Sequence, residues 1–209
     1  MSYAVKEAFL TLQGEGAQTG RRAVFIRFAG CNLWSGREED RATAQCNFCD
    51  TDFVGFADDG GRYDSAASLT AEAVKLWGDE ADHRFVVLTG GEPMLQVDQP
   101  LVDALHGAGF MVAMESNGTI AATPGIDWLC ISPKAGTEVV QRSGNELKLV
   151  FPQPGLAPRD VEDWAFDGFF LQPLDGPSRN DNRDAAIEYV LDHPQWRLSL
   201  QTHKLIGLR

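Results

Sequence analysis

What most constrains this 209-residue chain is a recurring unit: a short apolar run followed at once by a polar or glycine-bearing cluster. The runs are Ala23–Phe28, Arg84–Leu88, Phe110–Met114, Trp128–Ile131, Leu147–Phe151, Gly168–Leu171 and Trp196–Leu200. Most are apolar throughout, as in strands covered on both faces. Helical periods fall between some of them. Thr70-Ala71-Glu72-Ala73 reads as an N-cap and an acidic first turn. Pro100 suits the first turn of a helix carrying Leu101, Leu105 and His106. Asn182–Leu191 places Ala186, Ile187, Val190 and Leu191 at helical spacing. This alternation predicts an α/β fold, a parallel sheet with right-handed crossovers. Six or seven strands are too few for a closed eight-stranded barrel. The expectation is a single domain over residues 1–209, a shortened, open parallel β/α barrel.

In such folds the carboxyl ends of the strands share one face, where ligands bind. Cys31, Thr89-Gly90-Gly91-Glu92-Pro93, Glu115-Ser116-Asn117-Gly118, Ser132-Pro133-Lys134, Gln172-Pro173-Leu174-Asp175 and Gln201-Thr202-His203-Lys204 each follow a run. They are expected to line one cavity. The net charge of −12 and pI near 4.7, without a Lys/Arg run, disfavour a phosphate-tracking nucleic-acid surface. A nucleobase-like small molecule stays compatible. The N-terminus carries no basic-then-apolar signal pattern, and no apolar run reaches membrane-spanning length. A cytoplasmic protein without a membrane partner is expected, and reducing surroundings argue against disulfides.

Cys31 and Cys46 enclose fourteen residues, and Cys46-Asn47-Phe48-Cys49 follows. Three thiolates suit a 4Fe–4S cluster, which takes one thiolate per iron and here would keep one iron open for a reacting ligand. A zinc site needs a fourth ligand from His83, His106, His193, His203 or Cys130, none at finger-like spacing. The spacing favours iron–sulfur and leaves zinc or unligated thiols open. The Gly90-Gly91 turn is either an ordinary strand-to-helix turn or a close-approach edge for a ligand with a carboxyl beside it. Gln13 and Glu15 belong to a solvated loop or read the donor and acceptor edges of a heterocycle. Arg27, inside an apolar strand, pairs with a structural carboxylate or awaits a ligand carboxylate. Cys130 reads as a core thiol, and His203 is ambiguous.

Together these residues resemble the radical S-adenosylmethionine superfamily: the cysteine trio with Phe48 before Cys49, the Gly90-Gly91-Glu92-Pro93 turn and Glu115-Ser116-Asn117-Gly118. More narrowly, the chain resembles the 7-carboxy-7-deazaguanine synthase family almost end to end. The matching segments are Phe9–Gly16, Phe28–Trp34, Cys49–Asp52, Leu88–Pro93, Ser132–Lys134 and Gln201–Gly207. One departure stands out. The superfamily's usual spacing is three residues and then two, whereas residues 32–45 form a fourteen-residue insertion. Some members of the synthase family carry such an insertion.

The resemblance implies a lyase in queuosine and 7-deazapurine biosynthesis, a tRNA-modification pathway. Cys31, Cys46 and Cys49 would hold a 4Fe–4S cluster whose open iron binds S-adenosylmethionine, and cleavage of the latter would give a 5′-deoxyadenosyl radical. That radical would act at C6 of 6-carboxy-5,6,7,8-tetrahydropterin, and ring contraction with loss of ammonia would give 7-carboxy-7-deazaguanine. Matched motif by motif, Leu12, Gln13, Gly14, Glu15, Arg27, Thr89, His203 and Arg209 would bind substrate. Phe48, Gly91, Glu92, Ser116, Ser132, Lys134 and Gln172 would bind S-adenosylmethionine. Thr51 would hold Mg2+, with Asp50 a rival ligand. An external electron donor such as a flavodoxin and a homodimer complete the expectation. A glycyl-radical activase and a non-catalytic zinc-binding protein are the competing readings.

Overall fold

The computed structural model describes residues 2–208. Nine strands form one continuous sheet in the order β3-β1-β2-β4-β5-β6-β7-β8-β9. They are β1 Tyr3–Leu12, β2 Arg22–Phe28, β3 Gly61–Tyr63, β4 Phe85–Gly90, β5 Met111–Ser116, β6 Trp128–Ile131, β7 Ser143–Phe151, β8 Ala165–Pro173 and β9 Trp196–Leu198. From β2 to β9 every pairing is parallel. The two ends of the sheet, β3 and β9, do not pair with each other, so the barrel is open as expected. Each of the seven expected runs falls on a parallel strand, with Arg84, Phe110, Ser199 and Leu200 just outside the strand ends.

Two strands were not foreseen. β1 pairs antiparallel with both β2 and β3. A reversing loop over residues 13–21 joins β1 to β2, and an antiparallel pair needs no crossover helix. Tyr3–Leu12 mixes Lys6 and Glu7 into its apolar positions, so it lacks the continuous apolar run that marks the other strands.

Helices α1 Ala66–Trp77, α2 Gln99–Gly107 and α3 Arg179–Asp192 cover the outer face, and the short α4 Thr202–Ile206 lies at the rim of the inner side. The start expected for α1 at Thr70 is wrong. Ser65 is the N-cap, accepting from the Ser68 amide while Ser68 reciprocates. Thr70 lies instead on the buried face with Leu69, Ala73 and Trp77. In α2, Asp98 caps the helix and Pro100 sits in its first turn.

Side chains alternate across a strand with period two. In β2, Val24, Ile26 and Phe28 are fully buried in the main core with Leu69, Leu101 and Leu105, whereas Phe25 and Arg27 face the concave side. In β7, Leu147 and Leu149 join a second core with Leu171, Ala186 and Trp196, whereas Lys148 and Val150 face inward. The convex face is apolar and the concave face carries charge. Among the described strands β4 and the short β6 approach the doubly apolar pattern expected of most strands.

Candidate active site

The strand-end clusters converge on one cavity of about 400 Å³. All three cysteines line it, as do Thr89-Gly90-Gly91, Glu115-Ser116-Asn117, Ser132, Lys134, Gln172 and Asp175. Segments from the two termini close its rim: Leu12-Gln13-Gly14-Glu15 from the end of β1, and Gln201, His203 and Lys204 near the C-terminus.

At one end of the cavity, all four cysteines of the chain being free, Cys31, Cys46 and Cys49 stand together. The Leu33 amide donates to Cys31 Sγ at 3.4 Å. The hydrogen bond from Cys46 holds the Cys49 thiol at about 6 against its burial, and the same bond, with burial, pushes Cys46 up. The turn after β4 lies directly against Cys31. A side chain on Gly91 would collide with the Gly30 carbonyl and the Cys31 Cβ, so this close approach requires glycine. Among the described residues no three His, Cys, Asp or Glu side chains converge on one ion, the arrangement a closed zinc site needs. Three thiols facing a roomy cavity, without a fourth ligand, fit a 4Fe–4S cluster with an open iron.

Glu92 sits differently from Gly91 beside it. It is fully buried below the cavity and does not line it. Its carboxylate accepts from the Met94 amide at 2.9 Å, Ser116 Oγ at 2.9 Å and the Asn117 amide at 2.8 Å. Burial raises its pKa, while these donors and Lys134 favour the charged form. The proline at 93 opens a short 3-10 turn over Pro93–Leu95 that aims the side chain inward. Glu92 therefore ties the β4 turn to the β5 turn from behind.

The middle of the cavity holds a charged cage. Lys148 on β7 is only 4% exposed. Its Nζ lies 2.6 Å from Glu15 Oε2 and 3.2 Å from Glu115 Oε2. Gln13 Nε2 donates to the other Glu115 oxygen at 3.0 Å, and Gln13 Oε1 accepts from the Glu15 amide at 3.1 Å. Gln201 Nε2 donates to Glu15 Oε1 at 3.0 Å. Burial pushes the Glu15 carboxyl up, but the charge and hydrogen bond of Lys148, with Gln201 and Gln172, outweigh it and hold the group at about 2. Burial works against the Lys148 charge, and Glu115 and Glu15 overcome it and push its pKa well up. Glu146 flanks this cage. It accepts from the Ala17 amide at 3.1 Å and Trp128 Nε1 at 3.3 Å, and lies 3.8 Å from the Cys130 thiol.

Neither Lys148 nor Glu115 figured among the expected ligand-binding residues. A charged residue between Leu147 and Leu149 carries the same signal as Arg27 between Ile26 and Phe28, and that signal was available for both. Arg27 lies beside Thr89 in the β2–β4 register. Its Nε lies 2.7 Å from Glu7 Oε1 on β1, so the structural carboxylate is present, and Arg27 still lines the cavity.

Toward the other side, Lys134 Nζ donates to Ser132 O at 2.6 Å and Ser132 Oγ at 2.8 Å. Gln172 Oε1 accepts from Ser199 Oγ at 3.0 Å. Phe48 is half-buried at the rim, and Thr51 lines the cavity beside Asp50. Asp50 Oδ2 is engaged by Lys204 Nζ at 2.7 Å. His203 packs so closely on residue 14 that a side chain there would overlap its ring. Burial lowers the His203 pKa, against the pull of Glu15. Arg209 lies outside the described residues.

No family model matches the chain. Its relatives are nonetheless clear. It is 61% identical over 210 residues to the 7-carboxy-7-deazaguanine synthase of Bradyrhizobium diazoefficiens, with both chains covered in full. It is 58% identical over 209 residues to that of Bordetella pertussis and 32% identical over 244 residues to that of Escherichia coli, again with full coverage. The crystal structure of QueE from Escherichia coli superposes with a TM-score of 0.71 at 28% identity, over 96% of this chain and 94% of that one. Full-length identity at this level places the chain: it belongs to the 7-carboxy-7-deazaguanine synthase family.

Proposed function

We propose that this chain converts 6-carboxy-5,6,7,8-tetrahydropterin to 7-carboxy-7-deazaguanine with loss of ammonia, as a radical S-adenosylmethionine lyase of queuosine and deazapurine biosynthesis. The observation that carries this reading is the meeting of three free thiols and a cage of opposed charges in one cavity. When bound, the 4Fe–4S cluster and S-adenosylmethionine supply a 5′-deoxyadenosyl radical. The chain's own residues bind, orient and exclude water.

Cys31, Cys46 and Cys49 are the cluster ligands. Gly91 and Ser116 flank the place for the methionine end, held from behind by Glu92. Phe48 covers the adenine, and Ser132, Lys134 and Gln172 serve the nucleoside. A reduced pterin presents a row of N–H donors. Gln13, Glu15 and the backbone of Leu12 to Gly14 supply acceptors for it, and His203 closes the rim. Arg27 and Thr89, neighbours across β2 and β4, receive the substrate carboxylate, because a guanidinium fork suits that group. Arg209, outside the described residues, keeps a substrate-binding role on the family resemblance alone.

Thr51 is the Mg2+ ligand of choice. Magnesium prefers oxygen and often bridges to its substrate, and the rival Asp50 already faces Lys204. We further assign an external electron donor such as a flavodoxin, a homodimer, and the reducing cytoplasm as the place of action. Among the described residues no helix is long and apolar enough to cross a membrane. No observation favours a glycyl-radical activase or a zinc-binding protein, since the full-length relatives are named as synthases.

An anaerobic turnover assay tests the reaction. Reconstituted protein receives S-adenosylmethionine, reductant, Mg2+ and the carboxylated tetrahydropterin, with products read by mass spectrometry. 7-Carboxy-7-deazaguanine is expected. Formation of 5′-deoxyadenosine without it would overturn the substrate, and neither product from a loaded enzyme would overturn the radical reading.

A further inference from the structure

We propose that residues 32–45 form an Ω-loop pinched shut at Leu33 and Cys46 and stapled by Arg41 to the Cys46–Cys49 turn. The loop thus sets the cysteine geometry that a short spacing gives other chains. The inference rests on the reading that these cysteines hold the cluster.

Fourteen residues between two ligands leave their separation free unless something else fixes it. The Cys46 amide donates to the Leu33 carbonyl at 3.4 Å. Through that pinch, only Asn32 and Leu33 separate Cys31 from Cys46. The rest of the insertion is an excursion whose ends touch, the defining property of an Ω-loop packed by its own side chains.

The excursion is internally ordered. Glu38–Thr43 forms a 3-10 helix. Trp34 is buried, packs edge-on against Phe53 at 5.6 Å and donates from Nε1 to the Arg37 carbonyl at 3.1 Å. Phe53 in turn accepts from the Gly30 amide at 3.2 Å, next to the first cysteine.

Arg41 joins this unit to the other two ligands. Its guanidinium lies 4.1 Å over the Trp34 ring, and its Nε faces both Glu38 oxygens at 2.9 and 2.8 Å. That posture leaves Nη1 to donate to the carbonyls of Asn47 and Cys49, both at 3.0 Å. These two carbonyls belong to the turn that carries Cys46 and Cys49, so one fixed cation sets its backbone. Arginine suits the task because its planar fork loses little freedom per hydrogen bond. Arg41 does not line the cavity. It is a positioning residue that acts through the cysteine turn.

The test uses the full chain with its cluster reconstituted anaerobically, as wild type, Arg41→Met and Arg41→Lys. Two readouts are taken: iron release to a chelator, and the electron paramagnetic resonance line shape of the reduced cluster. Arg41→Met is expected to release iron about tenfold faster, the scale of one lost charge-assisted hydrogen bond. Its line shape should change while its circular dichroism matches wild type. Arg41→Lys, which keeps the charge and can reach one carbonyl, should fall between. Wild-type release and line shape in Arg41→Met would overturn the staple, as would an Arg41→Lys variant no better than Arg41→Met. A wild type that takes up no cluster would overturn the ligand reading itself, a separate and recognisable failure.

Discussion

Lys148 decides the electrostatics of the cavity. A lysine this deeply buried stays charged only because two carboxylates face it. Removing it leaves two half-buried carboxylates, Glu15 and Glu115, without the cation they share. Lys148→Met is therefore expected to destabilise the fold by about 3–5 kcal/mol, the usual cost of orphaning a buried charge. The slope with pH gives a sharper check. In the wild type the Glu15 pKa is depressed to about 2 by Lys148, so the folded state binds fewer protons than the unfolded one. The stability from this pair is present above the ordinary carboxylate range and is lost as pH falls toward 2. Without Lys148, burial raises the same carboxyl, and the variant should gain stability as pH falls through the carboxylate range. Urea midpoints of both proteins at several pH values measure the two slopes, and parallel slopes would remove Lys148 from this role. Arg27→Ala tests the neighbouring subsite. It should raise KM for the pterin at least tenfold, as expected for a lost charge-assisted pair, while cluster content and slow uncoupled cleavage of S-adenosylmethionine persist. Arg27 was recognisable in the sequence as a charge inside an apolar strand. The cage around Lys148 was not, because its partners lie 133 and 33 residues away and only the fold unites them.

At the scale of elements, the strand-end clusters were legible because parallel strands deliver their carboxyl ends to one face, and each cluster follows an apolar run. The antiparallel β1 was not legible. Its residues alternate between the charged concave face and a buried face, as Glu7 and Ala8 illustrate, and a bulge between Val5 and Glu7 interrupts the pattern. The start of α1 was misplaced because Thr70 has the chemistry of a cap, whereas Ser65 and Ser68 form the reciprocal pair that the helix uses. The glycine turn after β4 was read as an ordinary turn or as a ligand edge. Its second glycine lines the cavity and packs against the backbone that carries Cys31. Gly91→Ala should push the β4 turn and the Cys31 segment apart. The expected result is a chain that folds with normal secondary structure but loses most of its reconstituted iron, measured by iron and sulfide analysis. Full cluster loading in Gly91→Ala would mean that the two segments can yield without consequence.

Across the whole molecule, the two ends of the chain meet over the cavity. The Thr202 amide donates to the Gly14 carbonyl at 2.9 Å, so the segment after β9 is bound to the loop after β1. Lys204 extends the tie, with Nζ 2.7 Å from Asp50 beside the cysteine turn and 2.6 Å from Asp175 beyond β8. One lysine thus links the cluster loop, the far wall of the barrel and the C-terminal helix. An open sheet leaves its mouth wider than a closed barrel would, and this segment is what covers it. The two ion pairs are partly exposed and therefore modest, worth about 1 kcal/mol together. Lys204→Ala should accordingly leave cluster binding intact and raise KM for the pterin roughly fivefold. The difference between variant and wild type should shrink as salt screens the wild-type pairs. Hydrogen exchange gives the structural half of the answer: residues 201–208 should exchange faster in the variant while the β4–β5 core stays protected. Equal exchange at the C-terminus would show that the bonds from Thr202 and Gln201 hold the cover without Lys204, and would confine the lysine to a surface role.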